Sequence, residues 1–138
     1  MYRKSAQVAV NTTAQATTAA GTTLNVLGIK LTNTGCSIST LGNGFKINDG
    51  GLYKIRYVIT VTPTAAGTLA AQLFVNGTAL PCSLIQNTVD ASTTYTYVIE
   101  APAVCVQACC AVQPIVTATV SGVAADVTYV SASAVRLA

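Results

Sequence analysis

Cys36, Cys82, Cys105, Cys109 and Cys110 are the side chains of this sequence best suited to chemistry. A cysteine attacks or ligates as its thiolate, and a thiolate at neutral pH needs a basic neighbour or a metal to lower the thiol pKa. No basic partner stands near any of the five in sequence. Three readings stay open. The cysteines are small buried hydrophobes, since free cysteine is among the most buried residue types. They form disulfides, in which case the odd count leaves one thiol free or paired between chains. Or Cys105, Cys109 and Cys110 hold a soft metal, although C-x3-C-C lacks both a paired C-x2-C and a fourth ligand. We expect no metal and no cofactor.

The other reactive residue types are scarcer still. Histidine is absent, which removes the commonest general base and the commonest transition-metal ligand. The carboxylates Asp49, Asp90, Glu100 and Asp126 fall at no spacing that would pair them, and Asp49, Asp90 and Asp126 sit in turn-like or loop-like stretches. No glycine-rich phosphate loop lies between a strand and a helix. The expectation is a protein that is not an enzyme. Asn11-Thr-Thr and Asn76-Gly-Thr match the N-glycosylation pattern, but with no secretory signal they read as loop polarity and a hairpin turn.

Composition narrows the class. At 138 residues the chain is one domain long, enough to bury a core. Val, Ile and Thr make up about a third of it, types that suit a pleated sheet and lose rotamer freedom in a helix. Seven Lys and Arg against four Asp and Glu give a net charge of +3, too weak a field for a nucleic-acid binder. A charged fraction of 8% is low for a soluble monomer. Either the surface is rich in Thr, Ser and Asn, or much of it is buried against identical partners. The start, MYRKSAQVAVNTTAQ, has no apolar run behind its basic residues. The most apolar stretch, residues 101–120, holds two Gln and two Pro and never reaches ~18 clean apolar residues. No membrane insertion is expected.

Strands must position whatever the chain does. In GLYKIRYVITVTP, Tyr53, Ile55, Tyr57, Ile59 and Val61 share one face and Lys54, Arg56 and Thr60 the other, the period of a half-buried strand. Asn48-Asp49-Gly50-Gly51 before it is turn chemistry, Phe45 and Ile47 form a short preceding strand, and Pro63 ends the run. Residues 67–80 alternate through Leu69, Ala71, Leu73 and Val75 and turn at Asn76-Gly77. Residues 93–101 repeat the pattern with Tyr95, Tyr97 and Ile99; after Pro102 the phase is hard to follow. Further strands are expected near 114–120 and 127–137, separated by SGVAAD. SAQVAV and LNVLGIKL are the first two strands, joined by the small-residue connection NTTAQATTAAGTT. Eight to ten short strands without a helix predict an all-β sandwich or jelly roll.

GFKINDGGLYKIRYVITV (44–61) resembles the most diagnostic stretch of the complement component 1q and tumour necrosis factor superfamily. The pattern is Phe45, an apolar residue two on, a turn, then Gly51-Leu52-Tyr53 and an alternating strand through Tyr57, Ile59 and Val61. The hairpin LFVNGT (73–78) and the last strand VSASAVRLA (130–138), with Val135, Arg136 and Leu137, are similar as well. The resemblance is to the bacterial and phage branch, which includes heads of collagen-like spore-surface proteins and virion fibre or decoration proteins. Where the family often has an Asn-Ala-Gly-Asp-like step, this chain reads EAPAVCV (100–106), so a calcium site built from that acidic loop is not carried over.

The resemblance implies a ten-stranded jelly-roll β-sandwich assembled as a homotrimer, with residues 1–138 a single domain and 1–6 a short N-terminal arm. It implies that Arg56, Val58, Thr96, Val98 and Glu100 face the neighbouring protomer, with Glu100 meeting Arg56 near a threefold axis; the alternative is a solvated Arg56 on an outer face. The expected function is a non-enzymatic structural module on a particle surface, a phage capsid decoration or head or tail fibre protein. The alternatives are a bacterial spore-coat or cell-surface module, and an adhesin head that binds a receptor or glycan. Arg3 and Lys4 are the expected attachment to the larger particle.

Overall fold

The structure, a computed structural model, describes residues 6–26, 28–35, 37–106 and 114–138. In chain order its strands are β1 (Ala6–Asn11), β2 (Gln15–Thr17), β3 (Thr22–Thr23), β4 (Ile29–Thr34), β5 (Ile38–Leu41), β6 (Gly44–Ile47) and β7 (Gly51–Pro63). They continue with β8 (Gly67–Val75), β9 (Thr78–Ala79), β10 (Ile85–Val89), β11 (Tyr95–Val106), β12 (Ile115–Ser121) and β13 (Ala125–Arg136). Ten of these have four or more residues; the only helical turn among the described residues is the 3₁₀ turn Pro81–Ser83.

Two antiparallel sheets pack face to face. The first runs β11-β7-β13-β1-β4, with β2 beside β13; the second runs β10-β8-β12-β6-β5, with β3 on β12 and β9 on β8. The chain crosses between sheets at β2 to β3, β3 to β4, β4 to β5, β6 to β7, β7 to β8, β10 to β11, β11 to β12 and β12 to β13. Most ladder neighbours are therefore distant in sequence. That is jelly-roll connectivity.

Strand β7 shows why these residues fold this way. Tyr53, Ile55, Tyr57, Ile59 and Val61 have no exposed surface, while Lys54 and Arg56 are exposed. From the facing sheet Leu69, Leu73, Val116, Ala118, Val120 and Phe45 close the core, with Phe45 and Tyr57 edge to face at 6.2 Å. The step into β7 demands a glycine: a Cβ on Gly51 would run into the carbonyl oxygen of Ala138, which accepts from Leu52 N–H at 3.0 Å.

Four details depart from the sequence expectation. The connection after β1 holds the short strands β2 and β3. The run LNVLGIKL becomes a strand only at Ile29, because Leu24 and Val26 are buried where their N–H groups donate to the Ala118 and Gly42 carbonyls of the opposite sheet's side. Strand β11 continues past Pro102 to Val106, with a register shift between Ala101 and Val104. A proline is tolerated there because β11 is an edge strand and the bulge leaves Pro102 without a ladder partner, so the N–H it lacks is not needed. Asp126 lies in β13, opposite Thr62, and not in a loop.

Candidate interaction surface

The outward face of the first sheet is where the expected interface residues meet. Ladder register places Val98 opposite Val58, Val58 opposite Ser131, Ser131 opposite Val10, and Val10 opposite Ile29. Paired residues point to the same side of a sheet, so an almost wholly apolar row crosses all five strands. Val98 is 41% exposed and Ile29 57%, with Val58, Val10 and Ser131 partly buried. One flanking row is hydroxyl-bearing, Thr96-Thr60-Tyr129; the other carries charge, Glu100-Arg56-Ser133-Val8. Val135 and Tyr129, both over a third exposed, extend the apolar character along β13.

All five of Arg56, Val58, Thr96, Val98 and Glu100 share this face, as the parity of β7 and β11 predicts. Glu100 sits opposite Arg56 and reaches two cations: Arg56 Nε and Lys54 Nζ, each 3.9 Å from one of its carboxylate oxygens. The cations are about half exposed, so the pairs are loose and weak individually. Thr60 and Thr96 hydroxyls stand 3.5 Å apart, and Thr62 and Thr94 3.0 Å.

Sequence reading did not reach Val8, Val10, Ile29 and Tyr129. In β1 the usual polarity is inverted: Gln7, Ala9 and Asn11 point into the sandwich, and Val8 and Val10 point out. The inward amides are satisfied. Gln7 Oε1 accepts from Thr40 Oγ1 at 2.8 Å, and Asn11 Nδ2 donates to the Asn25 carbonyl at 2.9 Å. Register with β13 forces this parity, because Gln7 stands opposite the inward Ala134 and Val8 opposite the outward Ser133. Buried and bonded, Asn11 is no glycan acceptor.

At the end of the sandwich that holds the start of β1, Arg136 clamps the turn before β7. Its guanidinium donates to Ser37 Oγ at 2.9 Å, the Gly50 carbonyl at 3.0 Å and the Ala138 carbonyl at 3.3 Å, with Asp49 3.9 Å away. Tyr53 donates its hydroxyl to the Asp49 carbonyl in the same cluster, and burial raises its pKa above the ordinary value. Tyr57, four residues on and on the same face, has no hydrogen-bond partner for its buried hydroxyl among the described residues. Burial pushes its pKa up strongly, since an ionised phenolate there would be neither solvated nor paired.

The remaining candidates separate. Cys82 is a free, exposed thiol on the 3₁₀ turn, which corrects the buried-hydrophobe expectation for that residue. Cys105 stands opposite Leu52 in the β11–β7 ladder. Cys36, Cys109, Cys110, Arg3 and Lys4 lie outside the described residues. No group of three His, Cys, Asp or Glu side chains suited to a metal occurs among the described residues, and no described helix is long and apolar enough to cross a membrane.

Sheet order, crossings and register together define an all-β jelly-roll sandwich of two antiparallel sheets. Among solved structures the chain is similar to murine APRIL, with a TM-score of 0.72 and 12% identity over 98% of this chain and 100% of that one. It is also similar to the PRD1 vertex protein P5, with a TM-score of 0.66 and 14% identity over 97% of this chain and 73% of that one. At identities this low the structural likeness shows a shared fold and nothing more. No protein-family model and no curated protein sequence matches the chain.

Proposed function

We propose that this chain is a non-enzymatic structural module on the surface of a virion, assembled as a homotrimer and serving as a capsid decoration or as the head of a fibre. The observation that carries the reading is the row Val98-Val58-Ser131-Val10-Ile29, whose ends Val98 and Ile29 are exposed and whose middle the described residues cover only in part. Contiguous apolar surface on a soluble domain marks a partner site, and a closed ring of identical copies is the commonest way to cover one without open-ended growth. The fold shared with a vertex protein supports a place on a particle. In this reading Arg56, Val58, Thr96, Val98 and Glu100 face a neighbouring copy, and Glu100 keeps Lys54 and Arg56 from repelling their equivalents. The arm of residues 1–6, with Arg3 and Lys4, docks the trimer; three weak basic arms acting together gain from effective concentration.

Light scattering on a sizing column tests the assembly: three times 14.0 kDa is expected at micromolar concentration, and a monomer would overturn the reading. Deleting residues 2–5 tests docking. The truncated trimer should stay folded and lose its place on the particle, whereas wild-type occupancy would move the docking surface elsewhere.

A further inference from the structure

Two Asn-Gly steps occur in the sequence, Asn43-Gly44 and Asn76-Gly77, and the fold holds them in opposite circumstances. In such a step the glycine nitrogen can attack the asparagine side-chain carbonyl carbon, since glycine has no Cβ to obstruct the approach. Whether it does so depends on whether the backbone is free to turn.

Asn76 and Gly77 form the exposed two-residue tip between β8 and β9, both at positive φ, 50° and 82°. Among the described residues neither the Asn76 side chain nor the Gly77 N–H has a hydrogen-bond partner, and a Cβ placed on Gly77 would meet nothing within 4 Å. Strand β9 beyond the tip is only two residues long; the Asn76 N–H donates to the Ile115 carbonyl at 2.8 Å, but the Asn76 side chain and Gly77 stand outside that bond and outside the ladder.

Asn43 is also exposed at a hairpin tip, but Gly44 is not free. It is buried in the β5–β6 ladder opposite Leu41, with its α-carbon packed against the carbonyl of Val116 in the adjoining strand β12. Turning its nitrogen toward the Asn43 side chain requires that this ladder open.

We propose that Asn76 is a site of spontaneous deamidation and isoaspartate formation, and that the fold protects Asn43. The Gly77 nitrogen gives up its proton and bonds to Asn76 Cγ; the Cγ–Nδ2 bond breaks and ammonia leaves. Water then opens the resulting succinimide at either carbonyl. One product is aspartate; the other is isoaspartate, whose main chain runs through the side-chain carbonyl and is one carbon longer. Either product replaces a neutral amide with a carboxylate on a chain whose formal net charge is only +3. The tip stands beside Ile115, whose carbonyl accepts from Asn76 N–H, at the end of the sandwich where Ile47 bonds Pro114 and β1 begins.

Incubation of the purified native protein at mildly alkaline pH, followed by peptide mapping and enzymatic isoaspartate labelling, tests this. Deamidation at Asn76 should outrun that at Asn43 by at least about tenfold, because Asn43 must wait for the opening of packed structure. In urea the two rates should converge, since the unfolded chain offers both steps equally. Equal native rates, or native modification at Asn43 with Asn76 intact, would overturn the proposal.

Discussion

The two faces of the β11-β7-β13-β1-β4 sheet draw on the same few residue types and end in different states. Inward, Tyr57, Ile59, Ile99, Val130 and Ala132 have no exposed surface and interlock with the second sheet. Outward, the row through Val98, Val58 and Val10 is no less aliphatic, yet Val98 is exposed and Val58 and Val10 are only partly buried. The inward face is completed by the fold of one copy; on the proposed function the outward face is completed by another. The comparison also separates two tyrosines on the same strand face. Tyr53 lies near the sandwich end, where its hydroxyl finds the Asp49 carbonyl, and Tyr57 lies mid-core, where it finds nothing.

Breaking the inward face should have the largest effect. Ile59→Ala removes a fully buried side chain and should cost about 2–5 kcal/mol in urea unfolding, as core truncations do when the cavity only partly collapses. A cost below ~1 kcal/mol would mean the inward face is as incomplete as the outward one.

Val58→Asp, one position away on the outward face, should leave each copy folded by circular dichroism while weakening assembly. Loss at the centre of an interface is worth ~2 kcal/mol or more, about thirtyfold in subunit affinity, read by light scattering on dilution. An unchanged dilution profile would remove Val58 from the interface.

Tyr57→Phe should stabilise the protein by ~1 kcal/mol, since it deletes a buried hydroxyl that makes no hydrogen bond. Tyr53→Phe should act in the opposite direction, because it removes a made bond. Both phenols have raised folded-state pKa values, so the sign of their pH dependence is fixed. Below the ordinary tyrosine value of 10.0 folded and unfolded chains both keep the proton, and this contribution to stability is constant. Above it the unfolded chain ionises first, and Tyr57 alone should lower stability by up to ~1.4 kcal/mol per pH unit. The Tyr57→Phe variant should show a shallower alkaline decline than the parent.

Glu100→Gln should have the smallest effect on the single copy. Its partners Lys54 and Arg56 are half exposed, and the change in folding stability should stay under ~1 kcal/mol. Assembly should respond more: with the shared carboxylate gone, association should become tighter as salt screens the remaining cations. Insensitivity to salt would place this corner in solvent, away from any copy.

Period-two alternation was enough to read β7, because Tyr53 through Val61 alternate between apolar and polar or charged positions with Val58 the one apolar residue on the outward side. It gave the inward set of that strand, the turn at Asn48–Gly51, the hairpin at Asn76–Gly77 and the outward side of Arg56, Val58, Val98 and Glu100. These are local properties: side chains alternate along any strand, and glycine and asparagine accept positive φ wherever they fall. The β-branched content likewise pointed to an all-β domain, while the low charge left open whether its surface is polar by hydroxyls and amides or covered by partners.

Strand β1 shows what the sequence could not decide. AQVAVN alternates too, but hydrophobicity alone would turn Val8 and Val10 inward, and the fold turns Gln7, Ala9 and Asn11 inward instead. That choice belongs to the ladder with β13, a strand more than a hundred residues away, and to Thr40 and Asn25, which satisfy the buried amides. A slip of one residue in that ladder would exchange every side chain between core and surface. Tertiary structure therefore decided that the largely apolar row Val98-Val58-Ser131-Val10-Ile29 lines up across five strands, that Glu100 reaches both Lys54 and Arg56, and that one Asn-Gly step is locked while the other is open. Each depends on which strands become neighbours, and neighbours in a jelly roll are set by long-range pairing that no local pattern encodes.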